Sequence, residues 1–347
     1  NKINLPMKFV VYSQWKQLPE NSNKLFAEGE QDSLFLSRIW LESLTDHALA
    51  ENQSIILACG VEDETFQAIL PMMSSVGDGL SALCANFTSF YSPLVINHGQ
   101  QDVILSCLAK GLSQMDFASI RFEPIDSDDD NIIRLRRCME SCGFQSYPYF
   151  RFYNWMHPLN GQSFDQYMAE RPANLRNTIN RKQRKFERDH AYDIRLYKHE
   201  DIDQALLDYQ VIYKSSWKAN ELYSDFTPSL VRSLSELGWL RLAILYIQDK
   251  PVATQIWFVV HGKASIYRLA YDEYWKNYSP GSILTQYLMR YVIDTDKVSE
   301  IDFLTGNERY KQDWMSVQKE RSGLRFVKQA KQKNRFSRMI ESLKNKS

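Results

Sequence analysis

The spacing of apolar residues changes period along the chain, and the changes outline its elements. Between 34 and 44, Leu34, Ile39, Trp40, Leu41 and Leu44 form a helical stripe with Asp32 or Ser33 as its cap. Two apolar runs, 54–60 and 65–73, flank a polar turn at 61–64 and predict a hairpin. A strand is expected over 117–122. An acidic loop at 126–131 then caps a helix over 132–141 that stops near Gly143. The aromatic stretch 144–158 reads as extended, and Pro158, Asn160 and Gly161 mark a linker.

The pattern then repeats. Ser163 with Gln166 three residues on is a capping box. Pro172 interrupts before a basic helix over 174–188. After Asp201 a stripe of Ile202, Leu206, Tyr209, Tyr213 and Trp217 keeps helical spacing. A second hairpin, 240–247 and 252–260 about a turn at 248–251, echoes the first in pattern more than in residues, which suggests a duplicated α/β unit. A strand over 264–271, a helix carrying Ile283, Leu284, Tyr287, Leu288, Tyr291 and Val292, and a short strand over 301–304 complete the outline.

Length and charge refine this picture. The 347 residues fit two domains, divided here as 1–158 and 159–347. The 44% hydrophobic and 24% charged content fits a globular chain. No apolar run approaches the roughly 20 residues of a membrane span, and residues 1–10 lack the apolar core of a signal peptide. Five cysteines without Cys-x-x-Cys spacing argue against a disulfide scaffold or zinc site and for a reducing cytoplasm. No His/Cys cluster has metal spacing. The net charge is zero, but residues 1–150 hold ten Lys+Arg against nineteen Asp+Glu, and the remainder holds 32 against 23. The basic second half therefore meets either an anionic ligand or the acidic first half.

The chemistry candidates cluster late in the chain. Ser279-Pro280-Gly281-Ser282 leads from a strand region into a helix, where Gly281 permits close backbone approach and the amides of Ser282, Ile283 and Leu284 are expected as free donors to a pyrophosphate. No Gly-Lys-Ser/Thr follows, so this is not a Walker A loop.

These residues resemble a family. The strand ending in Tyr271, the Ser-Pro-Gly at 279–281, Ile-Asp-Phe-Leu-x-Gly at 301–306, and Tyr310-Lys311 with Trp314 are similar to the second domain of the FemAB/CelD-like branch of the GNAT acyltransferase superfamily. Leu175-Arg176-Asn177, Ser216-Trp217-Lys218, Phe35-Leu36-Ser37 with Trp40-Leu41, and Tyr91-Ser92-Pro93-Leu94 extend the resemblance over most of 30–326. It implies a mixed α/β (α+β) chain of two tandem GNAT-like domains, each with a mixed sheet flanked by helices. It implies N-acyl transfer from acetyl-CoA or another acyl-CoA to an amine on a small molecule, sugar or peptide. The alternatives are a FemAB-type transferase using aminoacyl-tRNA, or a non-catalytic scaffold with the duplicated fold. By analogy with the branch, the acceptor is a cell-envelope precursor; DNA is not an expected partner.

Such chemistry needs a base for the ammonium and an acid for the leaving thiolate. Asp302 is the first candidate base: strand alternation would set it beside Leu304 and near Tyr271, partly desolvated. Glu308 is a second base and Tyr310 a possible acid. Tyr271, Trp217 and Lys218 would line the acceptor slot, and Lys311 and Arg176 would hold phosphate or an acidic group. The basic tail 325–347 reads either as an amphipathic helix on an anionic membrane or nucleic acid, which would place the chain at the inner membrane face, or as a frayed helix.

Overall fold

The computed structural model describes residues 6–75, 77, 79–96, 99–218 and 223–328. The first half runs β1 (Lys8–Tyr12), α1 (Asn23–Asp32), α2 (Arg38–His47), β2 (Ile55–Glu62), β3 (Thr65–Ser75), β4 (Gly79–Ala82), β5 (Leu94–Val95), α3 (Gln101–Gln114), β6 (Ser119–Ile125), α4 (Asp130–Ser141) and β7 (Phe144–Pro158). The second half runs α5 (Phe164–Ala169), α6 (Ala173–Asp189), β8 (Asp193–Tyr197), α7 (Ile202–Ser215), α8 (Phe226–Glu236), β9 (Leu240–Ile247), β10 (Lys250–Val260), β11 (Lys263–Tyr271), α9 (Pro280–Asp294), β12 (Glu300–Thr305), α10 (Arg309–Trp314) and β13 (Val317–Lys328).

Local chemistry accounts for most boundaries. Both hairpins turn on two residues with positive φ, Asp63 and Glu64 between β2 and β3 and Gln248 and Asp249 between β9 and β10, which suits the twist of the flanking strands. Asp129 caps α4 by accepting from the Asn131 amide at 2.8 Å, and Gly143 follows the helix at φ +90°. The Ser163–Gln166 capping box is formed at the head of α5.

Three sequence expectations are corrected. The helix anticipated from 34 begins later: Ser33 opens a 3-10 turn over Leu34–Leu36, and Ser37 caps α2 by accepting from the Trp40 amide. Trp217 lies beyond the last residue of α7, so it leaves the helical stripe. Residues 325–328 of the basic tail form the end of strand β13 rather than a helix; residues 329–347 lie outside the described residues.

Thirteen strands make one mixed sheet, with twelve in the order β1-β2-β3-β4-β6-β13-β7-β12-β11-β10-β9-β8 and β5 beside β3. Counted inward from either edge, the two halves match. Each has three antiparallel steps, then one parallel step (β4 with β6, β11 with β12), then an antiparallel step to a central strand. The central strands are exchanged. β7 comes from the first half of the chain and pairs with β12, while β13 comes from the second and pairs with β6. They pair with each other from Val317↔Met156 to Lys328↔Phe144. Each parallel step lasts only three residue pairs, 79–81 with 119–121 and 263–265 with 300–302, after which the strands part.

The halves also share a core. Trp40 has no exposed surface and meets Phe35, Phe226 and Tyr267 edge-on, so residues from both halves close around one indole.

Candidate active site

The site grows from the place where β11 and β12 separate. β12 carries a bulge between Asp302 and Thr305, and Leu304 takes φ +53°. This turns the Leu304 amide back onto the Asp302 carboxylate at 2.7 Å. Lys311, only 4% exposed, holds the strand end in that shape. Its ammonium donates to the carbonyls of Phe303 (3.1 Å) and Thr305 and pairs with Glu308 Oε2 at 3.2 Å. Three donors meet three acceptors, so Lys311 positions the loop, contrary to the expectation that it holds phosphate or an acidic group. Burial lowers its ammonium from the usual 10.5, opposed by Glu308.

Beyond the bulge lies a cavity of about 390 Å³. Glu308, Tyr310, Trp217, Lys218 and Arg268 line it, with Phe87 and Ser89 contributed by the first half. Tyr310 is 42% exposed, and its ring leans on Phe303 at 6.3 Å between centroids. Burial first, and then Glu308's charge, pushes its phenol well above the usual 10, so the hydroxyl holds its proton at neutral pH. Glu308 is exposed at the head of α10, with its carboxylate over Gly306. A phenol, a carboxylate and aromatic walls thus meet in one open pocket.

The head of α9 connects to this pocket through Tyr271. A Cβ added at Gly281 would meet the Tyr271 ring at 3.3 Å, and that ring packs on Trp217 at 4.6 Å. The helix head itself differs from expectation. Pro280 has no N–H, and the amides of Ser282 and Ile283 both donate to the Ser279 carbonyl, at 3.1 and 3.2 Å. Ile283 and Leu284 are buried. The expected run of free donors is therefore reduced, with Gly281 the useful amide. Cations from α6 stand nearby: Lys182 Nζ donates to the Asn277 carbonyl at 2.6 Å, and Lys185 lies 4.8 Å from the Tyr278 ring centroid. Arg176 lines none of the described cavities.

Asp302 is in a different place. The bulge breaks the alternation that would have set it beside Leu304, so Leu304 lines the pocket above while Asp302 lines a second cavity. There it accepts from Asn154 Nδ2 at 2.6 Å and stands level with Ser265 on β11. Burial raises its carboxyl above the ordinary 3.8, opposed by the Leu304 and Asn154 hydrogen bonds. A hydrogen bond between Ser89 and Thr305 hydroxyls (2.8 Å) lies between the two cavities, and Ser89 lines both.

Sequence reasoning missed Arg268 and the first-half wall at 86–89. Arg268, a cation between the apolar neighbours Tyr267 and Leu269 on β11, was the available signal; its guanidinium lies over the rings of Tyr267 and Phe87 at 4.8 and 5.5 Å. All five cysteines are free thiols. Among the described residues no His/Cys/Asp/Glu group is arranged to hold a metal, and no helix is long and apolar enough to cross a membrane.

Residues 173–312 match the family described as Acetyltransferase (GNAT) domain. A crystal structure of FemX superposes with a TM-score of 0.61 at 9% identity, covering 92% of this chain and 97% of that one. A tandem GNAT protein from the clavulanic acid biosynthesis pathway gives 0.50 at 9% identity over 92% and 98% of the two chains. The C-terminal domain of a putative lysylphosphatidylglycerol synthetase from Agrobacterium fabrum gives 0.50 at 12% identity over 76% and 81%. At such identities the likeness establishes the fold. No curated protein matches the sequence.

Proposed function

We propose that this chain, a tandem GNAT fold with a GNAT acetyltransferase domain over 173–312, is an N-acyltransferase that moves an acyl group from acyl-CoA to an amine. The observation that carries this reading is the parting of β11 and β12 after three paired residues. It opens a pocket that holds a carboxylate, a protonated phenol and an aromatic rim together. The residues present fit an acyl-CoA: Gly281 leaves room beside Tyr271, Lys182 and Lys185 bring cations close to the head of α9, and Tyr271 with Trp217 leads into the pocket. When bound there, it supplies an activated thioester carbonyl.

Within that frame Glu308 takes a proton from the acceptor ammonium, freeing the nitrogen lone pair to bond to the acyl carbon. As the carbon–sulfur bond breaks, Tyr310 gives its phenolic proton to the leaving thiolate and is restored by the surplus proton of the new amide nitrogen. Lys311 keeps Glu308 aimed at the pocket. Asp302 acts through the bulge it ties, as a positioning residue.

Aminoacyl transfer from charged tRNA is the second reading. It is favoured by the exposed Arg181 and Arg184 on α6 and by the FemX likeness in fold. An acceptor of small-molecule, sugar, peptide or cell-envelope type, and action in the cytoplasm, belong to the main proposal.

Thermal unfolding with acetyl-CoA, free coenzyme A and longer acyl-CoAs tests the donor. A ligand at 100 times its dissociation constant adds about 2.7 kcal/mol, which is a visible shift in midpoint. No shift with any of them overturns the acyl-CoA reading, and a salt-sensitive affinity for charged tRNA would then favour the rival. Once a donor is found, Glu308→Gln lowers turnover by roughly 10²–10⁴ with Kd for the donor unchanged.

A further inference from the structure

The second cavity, of about 200 Å³, lies at the junction of the halves and is not used by the chemistry above. Its floor is one face of four neighbouring strands. Glu300 and Asp302 on β12 stand level with Lys263 and Ser265 on β11; on the other side come Asn154 of β7 and then Lys319 and Arg321 of β13. The roof is Glu30, Asp32 and the 3-10 turn that follows α1, together with Phe90.

Two polar groups here have unmet needs. Arg321 is 7% exposed. Its Nη1 donates to Asp126 Oδ2 at 3.0 Å and its Nη2 to Asn154 Oδ1 at 3.4 Å, but its buried Nε has no acceptor. Glu300 has neither a hydrogen bond nor an ion pair among the described residues, although its carboxyl is half-buried. A buried donor without an acceptor is destabilising, so a site that keeps one is suited to a guest that supplies the missing acceptor. Five carboxylates face three cations around the cavity (Glu30, Asp32, Asp126, Glu300 and Asp302 against Lys263, Lys319 and Arg321), so the guest's other end is positive. A cavity of roughly 150 Å³ holds benzene, so this one takes a molecule of amino-acid size and excludes a nucleotide.

We infer that the junction cavity binds a small zwitterion of the free amino-acid class, its ammonium on Glu300 and Asp302 and its carboxylate on Arg321 Nε and Lys319. The inference does not depend on acyl transfer, because the donor pocket lies on the other side of the Ser89–Thr305 hydrogen bond.

Calorimetric titration of the full chain with glycine, L-alanine, L-lysine, L-glutamate and glycylglycine tests it, with ethylamine and propionate as single-charge controls. At least one zwitterion binds; each control binds at least tenfold more weakly; and the excess of carboxylates ranks L-lysine above L-glutamate. Glu300→Gln and Arg321→Lys each weaken that binding at least tenfold, whereas Glu308→Gln, in the other pocket, leaves it unchanged. A cooperative melt of each variant shows that it is folded. Failure of every zwitterion to bind, L-glutamate binding more tightly than L-lysine, a control that binds as tightly as the best zwitterion, or binding that survives Glu300→Gln or Arg321→Lys in folded protein overturns the inference.

Discussion

The two halves part their parallel strands at the same place and then treat the gap differently. In the first half, β4 and β6 separate after residue 121, and the chain fills the opening itself. Tyr91 is buried there. Its amide donates to the Pro124 carbonyl at 2.7 Å, its hydroxyl donates to the Pro71 carbonyl at 3.0 Å, and its ring stacks on Phe122. In the second half, β11 and β12 separate after residue 302, and the opening is left as a lined pocket. One architecture thus yields a plug and a site. The difference lies in the segment placed over the gap, and a duplicated fold need not carry a duplicated activity.

The largest effect is expected from removing the plug. Tyr91→Ala takes away a buried ring and the hydroxyl's hydrogen bond to Pro71, while the backbone bond to Pro124 stays, and is expected to cost about 3–5 kcal/mol, read as a lowered urea midpoint. It should create no second donor site: titration of the variant with acyl-CoA gives one equivalent, and two would mean that the plug alone separates the halves in function. Lys311→Met comes next. It strips donors from two carbonyls and leaves Glu308 unpaired, at a cost of about 1–3 kcal/mol. Its signature is lost stability and lowered turnover with donor affinity kept; a rise in donor Kd alone would return Lys311 to phosphate binding.

The smallest effect concerns Glu300. Burial raises its carboxyl above the ordinary 4.5, so the native state holds its proton more tightly than the unfolded chain. In the window that opens at 4.5 and runs upward, this group makes stability fall as pH rises. Glu300→Gln removes that slope. The difference in melting temperature between variant and wild type should therefore grow from pH 4.5 upward, in the variant's favour. A flat difference would mean that Glu300 titrates normally.

How much of this was legible in advance follows from the range of the interactions. The two hairpins, the α4 cap and the Ser163–Gln166 box are settled by neighbours a few residues apart, and the sequence pattern located them. The first-half wall of the pocket was not legible, because Phe87 and Ser89 reach it from more than 120 residues away in the chain. Asp302 was misplaced in relation to Leu304 because a bulge adds residues to the count that alternation relies on. β13 was hidden for another reason. Its Arg325 and Lys328 read as a continuation of the cationic tail, and only the apolar Leu324 and Phe326, buried against Phe122 and Phe144, reveal the strand. The GNAT resemblance reached the fold class through short motifs, but it carried no information on which cavity each side chain would face.

The exchanged central strands have a consequence for the order of synthesis. β6 ends at residue 125, yet the neighbour that completes its hydrogen bonds begins at residue 317. On a ribosome adding roughly 5–20 residues per second, that edge waits on the order of ten to forty seconds, with apolar Ile120 and Phe122 on the waiting strand. An unpaired strand edge is a template for the wrong partner, including another nascent copy of the same chain. The first half therefore cannot finish as an independent unit while the second is being made. Premature termination between 125 and 317 leaves it a substrate for chaperones and proteases rather than a smaller working domain.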